Sequence, residues 1–230
     1  MSESEYGAYL VLTDISGYTP FVKAHAEVIR HAQYAISELL GAVLAVAEPP
    51  LVPAKLEGDA VFFQAPDGGP ADGLAVGRSL TRFFDAFYAR RDAMVSANSC
   101  HCQACAGLGA MELKTIAHRG PIHSYRLGGF DELAGFDIIV AHRLLKNGVG
   151  GRRYLLVTEA AWPGLGLSAD RARPHREDYA DVGPVDARLL IDGLGPPPGE
   201  TPPPAGPAAR LIEALRKGLG WRLRSRIKGE

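Results

Sequence analysis

Two carboxylates stand where apolar segments break off. Asp14 ends the run LVLTD at residues 10–14, and Asp59 follows Gly58 inside KLEGDAVFF at residues 55–63. Two carboxylates at neighbouring strand ends can hold Mg²⁺ or Mn²⁺, hard cations that prefer oxygen and share their coordination with substrate phosphates. A pair of ions held in this way activates an attacking oxygen and stabilises a leaving one. Gly17 and Thr19 follow Asp14, so backbone N–H groups at a helix start could face phosphates. The alternative is that both are exposed turn residues, an ordinary placement for aspartate. A second constellation is Cys100, Cys102 and Cys105, which are the 3 cysteines of the chain. Soft ligands at this density suit a tetrahedral Zn²⁺. His101, His123 or a cysteine from a second subunit could complete the shell, and free thiols or a redox-sensing loop are the alternatives. An odd, clustered set argues against a disulfide framework and fits a reducing compartment.

These residues need elements to place them. AYLVLT (8–13) suits a buried strand that delivers Asp14 to its end. Thr19 can cap the following helix with Pro20 at its first position. Apolar residues then recur at helical spacing to Ala47, where Pro49 and Pro50 end the run. LVPAKLEGDAVFFQA (51–65) reads as two strands turning at Glu57-Gly58-Asp59. A helix over Leu74 to Met94 leads to the cysteines. MELKTIAHRGPIHSYRL (111–127) reads as a second strand pair around Arg119-Gly120, and LAGFDIIVAHRLLKN (133–147) as a helix. RRYLLVT (152–158) is a strand, TEAAW a short helix, and 177–194 a closing strand or hairpin around Gly183-Pro184. This order departs from strict strand–helix alternation. It predicts an α+β domain over 1–194, with an antiparallel-rich, ferredoxin-like sheet carrying helices on one face. GPPPGETPPPAGP (195–207) reads as an extended linker, and 208–230 as a basic amphipathic helix.

Four of these segments resemble motifs of the class III adenylyl and guanylyl cyclases. LTDISGYT is similar to the family's first metal-binding motif, and KLEGDAVFF to its Lys-x-x-Gly-Asp hairpin. LKTIAHRGPI is similar to its Ile-x-x-His-x-Gly strand, and GFDIIVAHRL to its Gly-x-x-Val-Asn-x-Ala-x-Arg helix. The motifs fall in the family order over residues 8–147. The cysteines and the HRLLKN ending look more like an uncharacterised bacterial adenylate-cyclase-like branch. The resemblance implies that Asp14 and Asp59 bind the two metals, with Ile15 giving a backbone carbonyl. It implies that Lys55 and Glu132 meet the purine of a nucleoside triphosphate, and that Arg143 stabilises the phosphate transition state. It also implies a head-to-tail homodimer in which the subunits share each site. One departure is Ile139, which stands where the family has its catalytic asparagine. Isoleucine cannot orient the ribose, and losing one positioning donor costs about 100- to 1000-fold in rate. A divergent nucleotide-binding domain with weak or absent turnover is therefore expected. The alternatives are an active cyclase and a non-catalytic, zinc-containing dimerising scaffold. Without the resemblance, Lys55 reads as a hairpin surface charge, Arg143 as a helix-end ion pair, and His118 as a structural histidine.

Composition bounds the rest. The 230 residues are 47% hydrophobic and 22% charged with a net charge of −1, which affords a core and argues against generic nucleic-acid binding. No apolar run is long enough to span a bilayer, and MSESEYGAY lacks signal-peptide character, so a cytoplasmic protein is expected. In the tail, Leu211, Leu215, Leu219, Leu223 and Ile227 recur every four residues among Arg210, Arg216, Lys217, Arg222, Arg224, Arg226 and Lys228. Such a helix can pack back on the domain, or meet a membrane surface or an acidic partner.

Overall fold

The computed structural model describes residues 4–18, 29–100, 102–196 and 202–226. Thr19 and Pro20 lie outside them, as does His101. An eight-stranded mixed sheet organises the chain. In chain order the elements are β1 (Ser4–Ser16), α1 (Ile29–Ala45), β2 (Val52–Glu57), β3 (Ala60–Pro66), α2 (Pro70–Ser96), α3 (Gln103–Gly107), β4 (Glu112–Leu127), β5 (Phe130–Ala134), α4 (Phe136–Leu144), β6 (Tyr154–Thr158), β7 (Arg173–Tyr179), β8 (Gly183–Leu190) and α5 (Pro207–Arg226). The strand order is β2-β3-β1-β4-β6-β8-β7, with β5 paired to β4. Among the described residues only the β4–β6 pairing is parallel.

The period-two pattern of β1 sends alternate residues to two separate cores. Tyr9, Val11 and Ile15 join Leu39, Val43, Phe83, Phe84 and Phe87 of α1 and α2 on one face. Ala8, Leu10 and Leu12 join Val140, Ala141 and Leu144 of α4 on the other. Helices therefore cover both faces, not one. The short α4 seals the second face because its apolar stripe comes from Val140, Ala141 and Leu144, all buried.

Three other expectations change. Residues 112–127 form one continuous strand, with no turn at Gly120. The turn falls at Gly128-Gly129, both at positive φ, and β5 is a further strand whose last two residues, Leu133 and Ala134, the helical pattern had included. Gly120 has a different use: a Cβ there would meet the Asp137 carboxyl carbon at 2.1 Å. The residues after β6 form a turn and a short 3₁₀ segment at Trp162–Gly164. The closing hairpin is present as β7 and β8.

The tail helix docks through its polar side. Glu213 is buried and accepts hydrogen bonds from Tyr34 Oη (2.9 Å) and Arg90 Nη1 (2.9 Å), and Arg90 also binds Glu38 (2.7 Å). Leu211, Ile212 and Leu215 stay exposed, so the predicted apolar stripe does not seal the domain there. Among the described residues no helix is long and apolar enough to cross a membrane.

Candidate functional site

The β1–β3 register places Asp14 opposite Ala60, so Asp14 and Asp59 reach one strand end. The Ile15 N–H donates to the Asp59 carbonyl at 3.3 Å, which locks the β2–β3 turn against the end of β1. Burial pushes the Asp59 carboxyl up to about 6, and the Asp14 charge adds to the shift. The β1–β4 register adds a residue that sequence reasoning missed. Lys114 lies opposite Asp14, and its Nζ sits 2.8 Å from Asp14 Oδ2. Both side chains are largely buried, at 23% and 17% exposure. In sequence, a lysine two residues before an apolar strand segment looks like solvent-face decoration, and only the register reveals its partner.

The turn after Asp14 is shaped by a second basic residue. Gly17 has φ 99°, and a Cβ there would strike the Arg152 guanidinium at 2.1 Å. Arg152 Nη2 donates to the carbonyls of Ser16 (3.2 Å) and Ala110 (3.0 Å). These bonds tie the end of β1 to the segment that precedes β4.

His118 and Gly120 act together on the start of α4. A carboxylate only accepts, so His118 Nε2 donates to Asp137 Oδ1 at 2.8 Å, and Nδ1 then accepts from Thr158 Oγ1 at 3.0 Å. Burial holds this imidazole below its ordinary range, against the pull of Asp137. With both ring nitrogens engaged, His118 is a structural histidine, as expected from its apolar strand. Asp137 lies in the first turn of α4, where its charge suits the helix dipole.

The residues implied for base and phosphate recognition lie on β2, β5 and α4. Lys55 Nζ lies 3.4 Å from Glu132 Oε2, so β2 and β5 bring the two together. His142 of α4 lies 3.8 Å from Glu57 and edge-on to Phe62, which closes the border between α4 and β2–β3. Arg143 Nε donates to Asp181 Oδ2 at 2.8 Å. That pair is about half exposed on both sides, so solvent screens it and it contributes little to stability. Ile139 projects from α4 at 49% exposure, an apolar side chain facing outward. Around these groups lie Leu56, Leu127, Phe130 and Phe136, all exposed.

The thiols gather elsewhere. Cys100, Cys102 and Cys105 meet His31 of α1, with all four donor atoms within 4.8 Å of one another. His123, one of the candidates for a fourth ligand, instead faces Glu5 at 3.7 Å along the β1–β4 ladder.

A sequence model of the family described as "Protein of unknown function (DUF2652)" matches residues 36–154. The uncharacterized protein Rv2561/Rv2562 of Mycobacterium tuberculosis is 34% identical over 138 residues, which is 60% of this chain and 64% of that protein. The chain thus spans slightly less than two thirds of that relative. Among solved structures, the adenylyl cyclase CyaB from P. aeruginosa matches with a TM-score of 0.65 at 12% identity, covering 84% of this chain and 97% of that one. The guanylyl cyclase Cya2 matches at 0.62 and 15% identity, covering 87% and 99%. A class III adenylyl cyclase-like ATP-binding protein from Pseudomonas aeruginosa matches at 0.55 and 15% identity, covering 71% and 35%. At these identities the likeness establishes the fold: the chain has the α+β fold of class III cyclase catalytic domains, as its four motifs imply.

Proposed function

The chain belongs to the DUF2652 family of proteins of unknown function, and from that premise and its cyclase fold we propose that it binds a purine nucleoside triphosphate with Mg²⁺ or Mn²⁺ in a homodimer, with weak or absent cyclase turnover. The observation that carries this reading is the convergence of Asp14 and Asp59 at one strand end, held by the Ile15–Asp59 backbone bond. The donor set fits a hard divalent ion. Two carboxylates and the Ile15 carbonyl would hold it, while Lys114 supplies only one positive charge against two negative ones. The ion would supply Lewis-acid polarisation of a phosphoryl oxygen. The ATP-binding designation of the third solved relative is consistent with nucleotide binding on this fold without requiring turnover.

One observation favours slow or absent chemistry, and a second bears on it. Ile139 offers no hydrogen bond, and Arg143 is engaged by Asp181. An arginine serving developing phosphate charge needs its planar fork free. The Asp181 bond is weak enough to exchange for a phosphate, so Arg143 keeps its assigned role and the missing donor sets the rate. Lys55 and Glu132 form the base-recognition pair. The exposed Leu56, Phe130 and Phe136 belong to β2, β5 and α4, which border one another, and a second copy of the chain would cover them.

Light scattering at micromolar concentration, with nucleotide present, tests the assembly, and cyclic-nucleotide formation from ATP or GTP with Mn²⁺ tests the chemistry. The expected outcome is a dimer with little or no product. A strict monomer that neither binds nor converts nucleotide would reduce the likeness to one of fold.

A further inference from the structure

The thiol cluster is independent of the nucleotide reading and stands on its own geometry. His31 lies near the start of α1, Cys100 follows α2, Cys102 caps α3, and Cys105 sits within α3. His31 Nδ1 lies 3.2 Å from Cys102 Sγ, 3.7 Å from Cys100 Sγ and 3.6 Å from Cys105 Sγ. One imidazole nitrogen carries a single proton or a single lone pair, so hydrogen bonding accounts for one sulfur and not for three. A shared ion accounts for all of them. A tetrahedral Zn²⁺ with Zn–S bonds of about 2.3 Å and a Zn–N bond of about 2.0 Å separates its ligands by roughly 3.5–3.8 Å. The three nitrogen–sulfur distances straddle that edge length. An iron–sulfur cluster would spread its cysteines over several irons, farther apart than this.

The surroundings orient the ligands. The Cys105 N–H donates to Cys102 Sγ at 3.4 Å, which offsets charge on that sulfur. Asn98 grips the backbone of Cys100 twice, accepting from its N–H at 3.0 Å and donating to its carbonyl at 2.9 Å. Backbone and side chain thus fix two of the three cysteines before any ion arrives.

We propose that His31, Cys100, Cys102 and Cys105 form a closed, structural Zn²⁺ site that staples the start of α1 to the connection between α2 and β4. Four protein ligands leave no open position for substrate, so the ion has no catalytic role. Three thiolates and one divalent ion leave a net negative centre.

The full chain purified without chelator, under reducing conditions, should carry about one zinc per chain by elemental analysis. Replacement by Co²⁺ should give the visible d–d bands of tetrahedral coordination and a thiolate charge-transfer band. His31→Ala and Cys102→Ala should lose the ion, whereas His101→Ala and His123→Ala should keep it. If the alanine variants do not fold, His31→Cys keeps the test open: it should retain Co²⁺ with a shifted four-sulfur spectrum. A reduced protein that holds neither zinc nor Co²⁺, or iron with acid-labile sulfide in its place, would overturn the proposal. So would an ion lost by His101→Ala and kept by His31→Ala.

Discussion

The carboxylate pair and the thiol cluster are both candidate cation sites, and they are built in opposite ways. Asp14 and Asp59 offer hard oxygens from two strand ends, with Lys114 already beside them as a counter-charge. Two side chains cannot close an octahedral shell, so that site is incomplete until phosphate and water join. The thiol cluster offers three soft sulfurs and one imidazole nitrogen within 4.8 Å, a full tetrahedral set drawn from one chain. The first arrangement suits a ligand that comes and goes. The second suits an ion that stays and holds helices together.

The largest expected effect separates the two sites by metal removal. A strong thiol-competing chelator should lower the melting temperature of the full chain by about 10 °C or more, since loss of a structural zinc removes folding free energy directly. Mg²⁺ removal alone should move it little. Thermal scans with a zinc-selective chelator, and after desalting into Mg²⁺-free buffer, check this, and an equal response to both would contradict the assignment of the stabilising ion to the thiols.

The next effect concerns Ile139. Restoring the missing donor by Ile139→Asn should raise cyclic-nucleotide formation about tenfold or more, equivalent to ~1.4 kcal/mol of transition-state stabilisation. The thiol cluster should be unaffected. Steady-state assays with Mn²⁺ and each purine triphosphate provide the measurement. If the rate does not move, the outward apolar side chain is not what limits chemistry.

A smaller effect follows from the carboxylate pair being strained without its ion. Burial and Asp14 raise the Asp59 carboxyl to about 6, above its ordinary 3.8. A raised folded-state value means the stabilising contribution is complete below about pH 3.8 and is lost as pH rises through about 6. Asp59→Asn should therefore stabilise the ion-free protein above pH 6 by about 1–2 kcal/mol, after discounting for solvent screening, and leave it unchanged near pH 4. Denaturant titrations at both pH values check the sign. A destabilised variant at high pH would mean that Asp59 is a structural turn residue.

The smallest effect is at Arg143. Asp181→Ala removes a half-exposed, solvent-screened pair and should leave the melting temperature almost unchanged, while leaving nucleotide affinity equal or slightly tighter because the guanidinium is freed. Weaker binding would show that Asp181 positions Arg143 and does not merely park it.

The two sites were also legible to different degrees. The carboxylates could be read from motif spacing, because an apolar strand ending in Asp and a Gly-Asp hairpin each announce a strand end. Lys114 could not, since its pairing with Asp14 depends on the register between β1 and β4. The cysteines announced themselves by density, but His31 lies 69 residues before Cys100 and only the packing of α1 against α2 brings it in. Gly120 misled because glycine usually signals a turn. Here it makes room for Asp137, a close approach that no local pattern records. The first part of the tail's apolar repeat misled similarly, because the buried Glu213–Arg90 pair docks the helix while Leu211 and Leu215 stay exposed; Leu219, Leu223 and Ile227 lie outside the described side chains.

The central claim is that Asp14 and Asp59 hold a divalent cation together with a purine nucleoside triphosphate. Isothermal titration of ATP and GTP into the full-length protein, with Mn²⁺ and without it, tests that claim most directly. The account predicts Mn²⁺-dependent binding of at least one nucleotide by the wild type. It also predicts loss of that dependence in Asp14→Asn and Asp59→Asn while the zinc content stays unchanged. Binding that is indifferent to Mn²⁺ and to both substitutions, or no binding of either nucleotide, would contradict it.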